Sequence, residues 1–130
     1  MVNLVPILFL APFAYLILRL AVGSFWIFLA YRHLTQLESL LPKNIFFVPR
    51  QVAVVLIIAS ECIIGTLFVL GAYTQLAALM SIIFIIKIMI WRKFLSMTQF
   101  PPASTWFFVV VVSIALFITG AGPFGFDLPI

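Results

Sequence analysis

The chain of 130 residues has a formal net charge of +4, with 66% hydrophobic residues and only 8% charged ones. This length fits one domain, residues 1–130, and the apolar excess is typical of an integral membrane protein rather than a soluble one. The basic residues lie at the ends of apolar segments instead of along one stripe, which argues against nucleic-acid binding. We therefore expect a lipid bilayer to solvate most of the chain.

The first predicted element is a helix over residues 9–32. The apolar run from Leu4 to Tyr31 contains one charged residue, and it exceeds the roughly 20 residues that cross a hydrocarbon core. Pro12 suits the first turn of this helix, where its missing N–H group does least harm. The polar stretch 33–50 follows as the largest loop.

Three further helices are predicted after this loop. The stretch from Gln51 to Ile86 holds a single charge and is too long for one span, so the Gly-Ala-Tyr-Thr-Gln sequence at 71–75 is expected to turn the chain. This turn separates predicted helices at 51–71 and 74–94. Two consecutive prolines precede the last predicted helix, 103–119, which carries no charge. Four helices with short links predict an all-α fold, an integral membrane up-down four-helix bundle.

The distribution of basic residues predicts the orientation of this bundle. The 71–75 turn contains no lysine or arginine, and neither does the segment before the first predicted helix or the segment after the last one. The positive-inside rule therefore predicts a multi-pass protein of a cell inner membrane, with loops 33–50 and 92–102 cytoplasmic and both termini on the outer side. The basic residues that lie in or beside these two loops are Arg32, Lys43, Arg50, Arg92 and Lys93.

Three ionisable residues lie inside the predicted helices. An ionisable group near the bilayer centre costs about 3 to 15 kcal/mol unless it is paired or hydrated. Counting from the inner helix ends at 1.5 Å per residue places Arg19 and Glu61 within about 3 Å of each other in height, so we predict that they face each other as an ion pair. Lys87 lies nearer the inner end of its helix, where it can snorkel to the interface or contact an aromatic ring, a quinone or a phosphate oxygen.

The predicted pair of Arg19 and Glu61 allows three interpretations. It can fix the register of the helices, form a polar pocket for a ligand head group or a proton, or place one of its members against a partner subunit. Helical spacing puts Tyr15, Gly23 and Trp26 on the side of helix 1 that carries Arg19, and Gly65 lies one turn from Glu61. We treat these four residues as candidates for lining a pocket, although such stripes are also typical of helix packing.

Histidine and cysteine are often functional residues, but the sequence assigns no such role to His33 or Cys62. His33 follows the first predicted helix, and we expect it to be an exposed loop residue without a special role. Cys62 is the only cysteine, so it cannot close an intrachain disulfide. The sequence shows neither a catalytic triad, nor a phosphate-binding loop, nor a cluster with metal-ligand spacing.

The order of several short motifs resembles the DoxX family of membrane proteins. The segment 18–25, Leu-Arg-Leu-Ala-Val-Gly-Ser-Phe, resembles the RxxxG signature of that family's first helix. The glutamate and glycine of 61–65, followed by Leu-Gly-Ala-Tyr-Thr-Gln from residue 70, are similar to its second helix and the following turn. The ending at 119–127 is similar to its GxGxxSxD tail, with Gly125 where the family usually has a serine. The resemblance covers nearly the whole chain.

This resemblance implies a small four-helix inner-membrane protein of bacteria linked to redox processes. Family members include a subunit of a thiosulfate:quinone oxidoreductase and a membrane partner in bacterial oxidative-stress complexes. By this likeness Arg19, Glu61 and Asp127 would be the family's polar positions. Relatives that handle disulfides have paired cysteines, which Cys62 alone does not supply.

The resulting functional hypothesis is an oxidoreductase subunit that supports a quinone-linked reaction through a polar pocket around Arg19 and Glu61. Arg19 would hydrogen-bond a carbonyl or anionic group, Glu61 would hold Arg19 or relay a proton, and Asp127 would cap the tail or the mouth of helix 1. No residue is assigned a catalytic or metal-binding role, a quinone is the candidate cofactor, and a protein partner or a homo-oligomer is expected. The alternatives are a non-enzymatic assembly or chaperone-like membrane subunit and a small transporter.

Overall fold

A computed structural model describes residues 11–35, 50–91, 101–120 and 122. These residues form four α-helices and no strand, which confirms the predicted all-α class for this part of the chain. The helices are α1 (Ala11–Thr35), α2 (Arg50–Leu70), α3 (Thr74–Trp91) and α4 (Ala103–Thr119). The main difference from the prediction is at the end of α1, which includes His33 instead of stopping before it.

The four helices pack in cyclic order, so that each contacts two neighbours. The most extensive contacts join α1 to α2 and α3 to α4, and smaller ones join α2 to α3 and α4 to α1. A three-residue turn connects α2 to α3, and its first residue, Gly71, has a φ of 67°. The Gly71 N–H group donates a hydrogen bond of 2.9 Å to the Leu67 carbonyl, which closes α2 in the manner common for a left-handed glycine.

Two glycines bring α1 and α2 into close contact. A Cβ atom on Gly23 would lie 3.0 Å from the Gly65 carbonyl oxygen and 3.1 Å from the Val69 nitrogen. A Cβ atom on Gly65 would lie 3.1 Å from the Gly23 carbonyl oxygen and 3.1 Å from the Ile27 nitrogen. Because these neighbours are backbone atoms, side chains at either position would force the helices apart.

Aromatic rings fill the middle of the bundle. Trp26 and Trp106 are both fully buried, and their ring centroids lie 5.9 Å apart. Phe25 meets the Trp106 ring edge to face at 5.8 Å, and Phe84 meets Trp26 in the same way at 5.6 Å. These edge-to-face arrangements are the preferred geometry of aromatic pairs and join α1, α3 and α4.

The outer surface of the described helices is apolar, whereas several polar side chains are buried. All four helices expose large hydrophobic side chains, among them Ile17, Val55, Ile90 and Ile118. One helix segment, Pro12–Thr35, is long and apolar enough to cross a membrane by length and composition, and the other apolar helix segments are shorter. The buried polar and charged residues are Arg19, His33, Glu61, Thr74, Ser81 and Ser113.

Candidate functional site

The buried polar side chains form three groups along the bundle, and α1 contributes one residue to each group. Arg19, Trp26 and His33 are spaced by seven residues, which places them on one face of α1. At 1.5 Å per residue, consecutive members are about 10 Å apart along the helix axis. The three groups therefore lie at three heights inside the bundle.

The first group is a buried pair formed by His33 and Glu61. His33 Nδ1 lies 2.8 Å from Glu61 Oε2, and the two side chains are 1% and 0% exposed. The prediction that His33 is an exposed loop residue was wrong, because α1 continues through it and turns its ring into the bundle. The seven-residue spacing from Arg19 and Trp26 was the sequence signal that could have revealed it.

The second carboxylate oxygen of Glu61 has a different environment. Within the described part of the chain, Oε1 is buried and accepts no hydrogen bond. Buried polar atoms of proteins are nearly always hydrogen-bonded, so an exception calls for an explanation. Oε1 is the atom of this pair at which a proton or a hydrogen-bond donor of a ligand would be accommodated best.

The second group surrounds Arg19 at the opposite end of α1. Arg19 is 1% exposed, and its guanidinium lies where a side chain on Gly71 would project. Thr74, at the start of α3, is also buried at this end of the bundle. Gly122 lies against Tyr15, in the first half of α1.

The predicted ion pair between Arg19 and Glu61 was therefore wrong. Arg19 lies beside Gly71, and Gly71 is ten residues from Glu61 along α2, or about 15 Å at 1.5 Å per residue. The prediction assumed that α1 and α2 have their inner ends at the same height. The contact between Gly23 and Gly65 sets another register, in which His33 rather than Arg19 is opposite Glu61.

The third group is a hydrogen-bonded chain at mid-height. The Trp26 Nε1–H group donates to Ser81 Oγ at 3.1 Å, and Ser81 Oγ lies 3.2 Å from Ser113 Oγ. Both serines are fully buried. This chain links α1, α3 and α4 and satisfies the indole N–H group, which usually has a partner when the ring is buried.

The remaining predicted site residues are not brought together into one pocket. Gly23 and Gly65 belong to the helix contact described above, and Tyr15 is half-buried against Gly122. Lys87 is exposed on α3. Asp127 lies outside the described residues.

The arrangement favours proton and hydrogen-bond chemistry over metal binding. In the described ranges, no group of three or more histidine, cysteine, aspartate or glutamate side chains could hold a metal ion. The pair of His33 and Glu61 supplies two ligands, and a structural zinc site needs four. Cys62, next to Glu61 in sequence, is exposed on the outer side of α2.

Comparison with known proteins does not extend these observations. The sequence matches no protein-family model, and neither a curated protein nor a solved structure matches it. The resemblance to the DoxX family therefore remains a prediction from the motifs.

Proposed function

We propose that this chain is a multi-pass protein of a bacterial inner membrane, with loops 33–50 and 92–102 on the cytoplasmic side. The polarity of the bundle supports this, because large apolar side chains lie outside while Arg19, His33 and Glu61 lie inside. Lipid solvates such a surface, and buried ionisable residues in membrane helices face the bundle interior. The helices have 25, 21, 18 and 17 residues, against about 17 to 25 needed for a span.

Within that membrane, the protein acts as a non-catalytic subunit that supports a quinone-linked redox reaction. The burial of the Arg19 guanidinium beside the turn between α2 and α3 is the observation that carries this proposal. A guanidinium has five N–H donors, so it can bind a ligand oxygen while keeping a protein partner. A quinone carbonyl is a hydrogen-bond acceptor that matches such a group.

The separation of Arg19 from Glu61 changes the form of the hypothesis. A single pocket that contains both side chains is replaced by two polar positions about 20 Å apart along α1, counted at 1.5 Å per residue from Arg19 to His33. The quinone head group is assigned to the position at Arg19, beside Gly71 and Thr74. Glu61 then acts on protons at the other position.

Native mass spectrometry of the protein, gently extracted from its own membrane, tests this proposal. We expect a bound mass of quinone size on the wild type and on Thr66→Val, which alters an exposed residue of α2, and its loss from Arg19→Ala and Arg19→Lys. Arg19→Lys keeps the charge but not the planar fork of donors. Retention of the ligand by both Arg19 variants would refute the assignment. A stable protein partner without a small ligand would instead support the assembly function.

A further inference from the structure

We propose that His33 and Glu61 form a proton-exchange site inside the bundle, which takes up a proton from water and releases it again. The proposal rests on the proton role that the proposed function gives Glu61, but it requires neither Arg19 nor a quinone. Its ligand is the proton itself, and its two functional groups come from α1 and α2.

The geometry of the pair requires a proton between its two members. At 2.8 Å, Nδ1 and Oε2 are at hydrogen-bond distance, so one of these atoms must carry a hydrogen. An imidazole has a second nitrogen, Nε2, on the far side of the ring, and the carboxylate has Oε1. The pair thus has a shared proton, and Oε1 is a further atom of the pair that can bind one.

These atoms define a complete transfer. A proton from hydronium binds Glu61 Oε1, and a carboxylic acid results beside a neutral imidazole that keeps its Nδ1–H group. Release of that proton to water restores the carboxylate. Proton number and charge balance at each step, and no other reactant is needed.

A purely structural role is a poor explanation for the pair. Buried ion pairs contribute little net stability, and apolar residues of similar volume often replace them without loss. The register of α1 against α2 is already fixed by the contact of Gly23 with Gly65, about one turn from Glu61 along α2 and nearly three turns from His33 along α1. A second contact, between polar side chains, is not needed to fix the same register.

The surroundings of the pair favour exchange at one end of the bundle over conduction through it. His33 is two residues from the end of α1 at Thr35, or about 3 Å at 1.5 Å per residue. The sequence that follows contains Gln36, Glu38 and Lys43. One turn deeper, the pair is followed by buried Leu29 and Ile64, which cannot pass a proton onward.

Few other charges of the described helices face the pair. Arg32 on α1 is half-buried, and Lys87 on α3 is exposed. Beyond Glu61, α2 adds only the exposed Cys62 close by, and Ala103–Thr119 of α4 contains no titratable side chain.

Solid-state NMR of the whole chain in synthetic phosphatidylcholine bilayers tests the proposal without any quinone. His33 is the only histidine, and Glu38 and Glu61 are the only glutamates. With ¹⁵N-labelled histidine and ¹³C-labelled glutamate, a pH series reports the protonation of the ring and of each carboxyl group separately. We expect the His33 and Glu61 signals to change together, as two strongly interacting groups do.

Two variants separate exchange from a static contact. Glu61→Gln should abolish the pH-dependent change of the His33 signals that follows the Glu61 carboxyl group, whereas Glu38→Gln should leave that change in place. If Glu61→Gln does not fold, His33→Gln gives the same test on the Glu61 carboxyl signal. Signals of His33 and Glu61 that stay constant with pH in the folded protein, or that titrate independently in the wild type, would overturn the proposal.

Discussion

Replacement of Gly71 by alanine tests the position of the Arg19 guanidinium. Gly71 and Gly120 are similar, because each follows a helix, has a φ near 70° and donates a 2.9 Å hydrogen bond to the carbonyl four residues earlier, but Gly120 has a ψ of −164°, outside the left-handed helical region. Their surroundings differ. A Cβ atom on Gly71 would collide with the Arg19 guanidinium, whereas one on Gly120 would meet only Gln75 Nε2 at 3.9 Å, an ordinary contact.

The expected magnitudes follow from this difference. Alanine at a positive φ costs about 1–2 kcal/mol relative to glycine in the left-handed helical region, and about 1–3 kcal/mol at the ψ of Gly120. Gly71→Ala must also displace a buried guanidinium, and forcing an extra methyl group into a packed interior costs about 1–3 kcal/mol more. We therefore expect Gly71→Ala to destabilise the protein by about 2–5 kcal/mol in total, and Gly120→Ala by about 1–3 kcal/mol from its backbone conformation alone.

The assay is reversible unfolding in mixed micelles, with the free energies of unfolding of the two variants compared directly. Arg19→Lys combined with Gly71→Ala should recover part of the loss, because the smaller ammonium leaves room for the methyl group. Non-additivity of this kind is the signature of residues in contact. Arg19→Lys should be additive with Gly120→Ala, and additivity of Arg19→Lys with Gly71→Ala as well would refute the placement of Arg19.

Three further predictions concern the other contacts of the bundle. Gly65→Val should destabilise the protein by at least about 2 kcal/mol, because its methyl groups would meet backbone atoms of α1. Thr66→Val, at the exposed neighbour, should change stability by less than about 0.5 kcal/mol. The same unfolding assay measures both, and equal effects would argue against the close contact of α1 with α2. His33→Leu should lower the free energy of unfolding by about 3–5 kcal/mol, because it leaves Glu61 buried without its partner. The double variant with Glu61→Leu should regain most of that loss. Additive effects of the two substitutions would contradict the pairing. Ser81→Ala should lower the free energy of unfolding by about 1–3 kcal/mol, because it removes the hydrogen-bond partner shared by Trp26 and Ser113. Thr119→Ala, which removes an exposed hydroxyl that bonds to its own helix, should leave stability nearly unchanged. Equal effects of the two variants would argue against the buried hydrogen-bonded chain.

The helices could be predicted from the sequence because their signals are local. Apolar runs, the glycine at 71 and the prolines before residue 103 mark helix ends through backbone geometry that does not depend on distant contacts. The end of α1 was the exception. The polar residues from 32 onward indicated a loop, but His33 is buried by its contact with α2, and this tertiary contact overrides the local polarity.

The partners of the buried polar residues could not be predicted in the same way. Burial of Arg19 and Glu61 follows from their place inside apolar runs, but which residues meet depends on how far α1 and α2 slide past each other. That offset is set by the close approach at Gly23 and Gly65. Each glycine could be identified as a packing residue from its spacing, yet neither specifies which residue of the other helix it contacts.

The contact between His33 and Glu61 is the feature on which the revised site depends most directly. A dipolar recoupling measurement between the His33 Nδ1 nitrogen and the Glu61 side-chain carboxyl carbon, on labelled protein in lipid bilayers, determines whether it exists. The 2.8 Å separation of Nδ1 from Oε2 predicts strong coupling to Glu61 and none to Glu38. Absence of coupling to Glu61, with the arginine side chains coupled to that carboxyl carbon instead, would contradict the register and restore the pairing of Arg19 with Glu61.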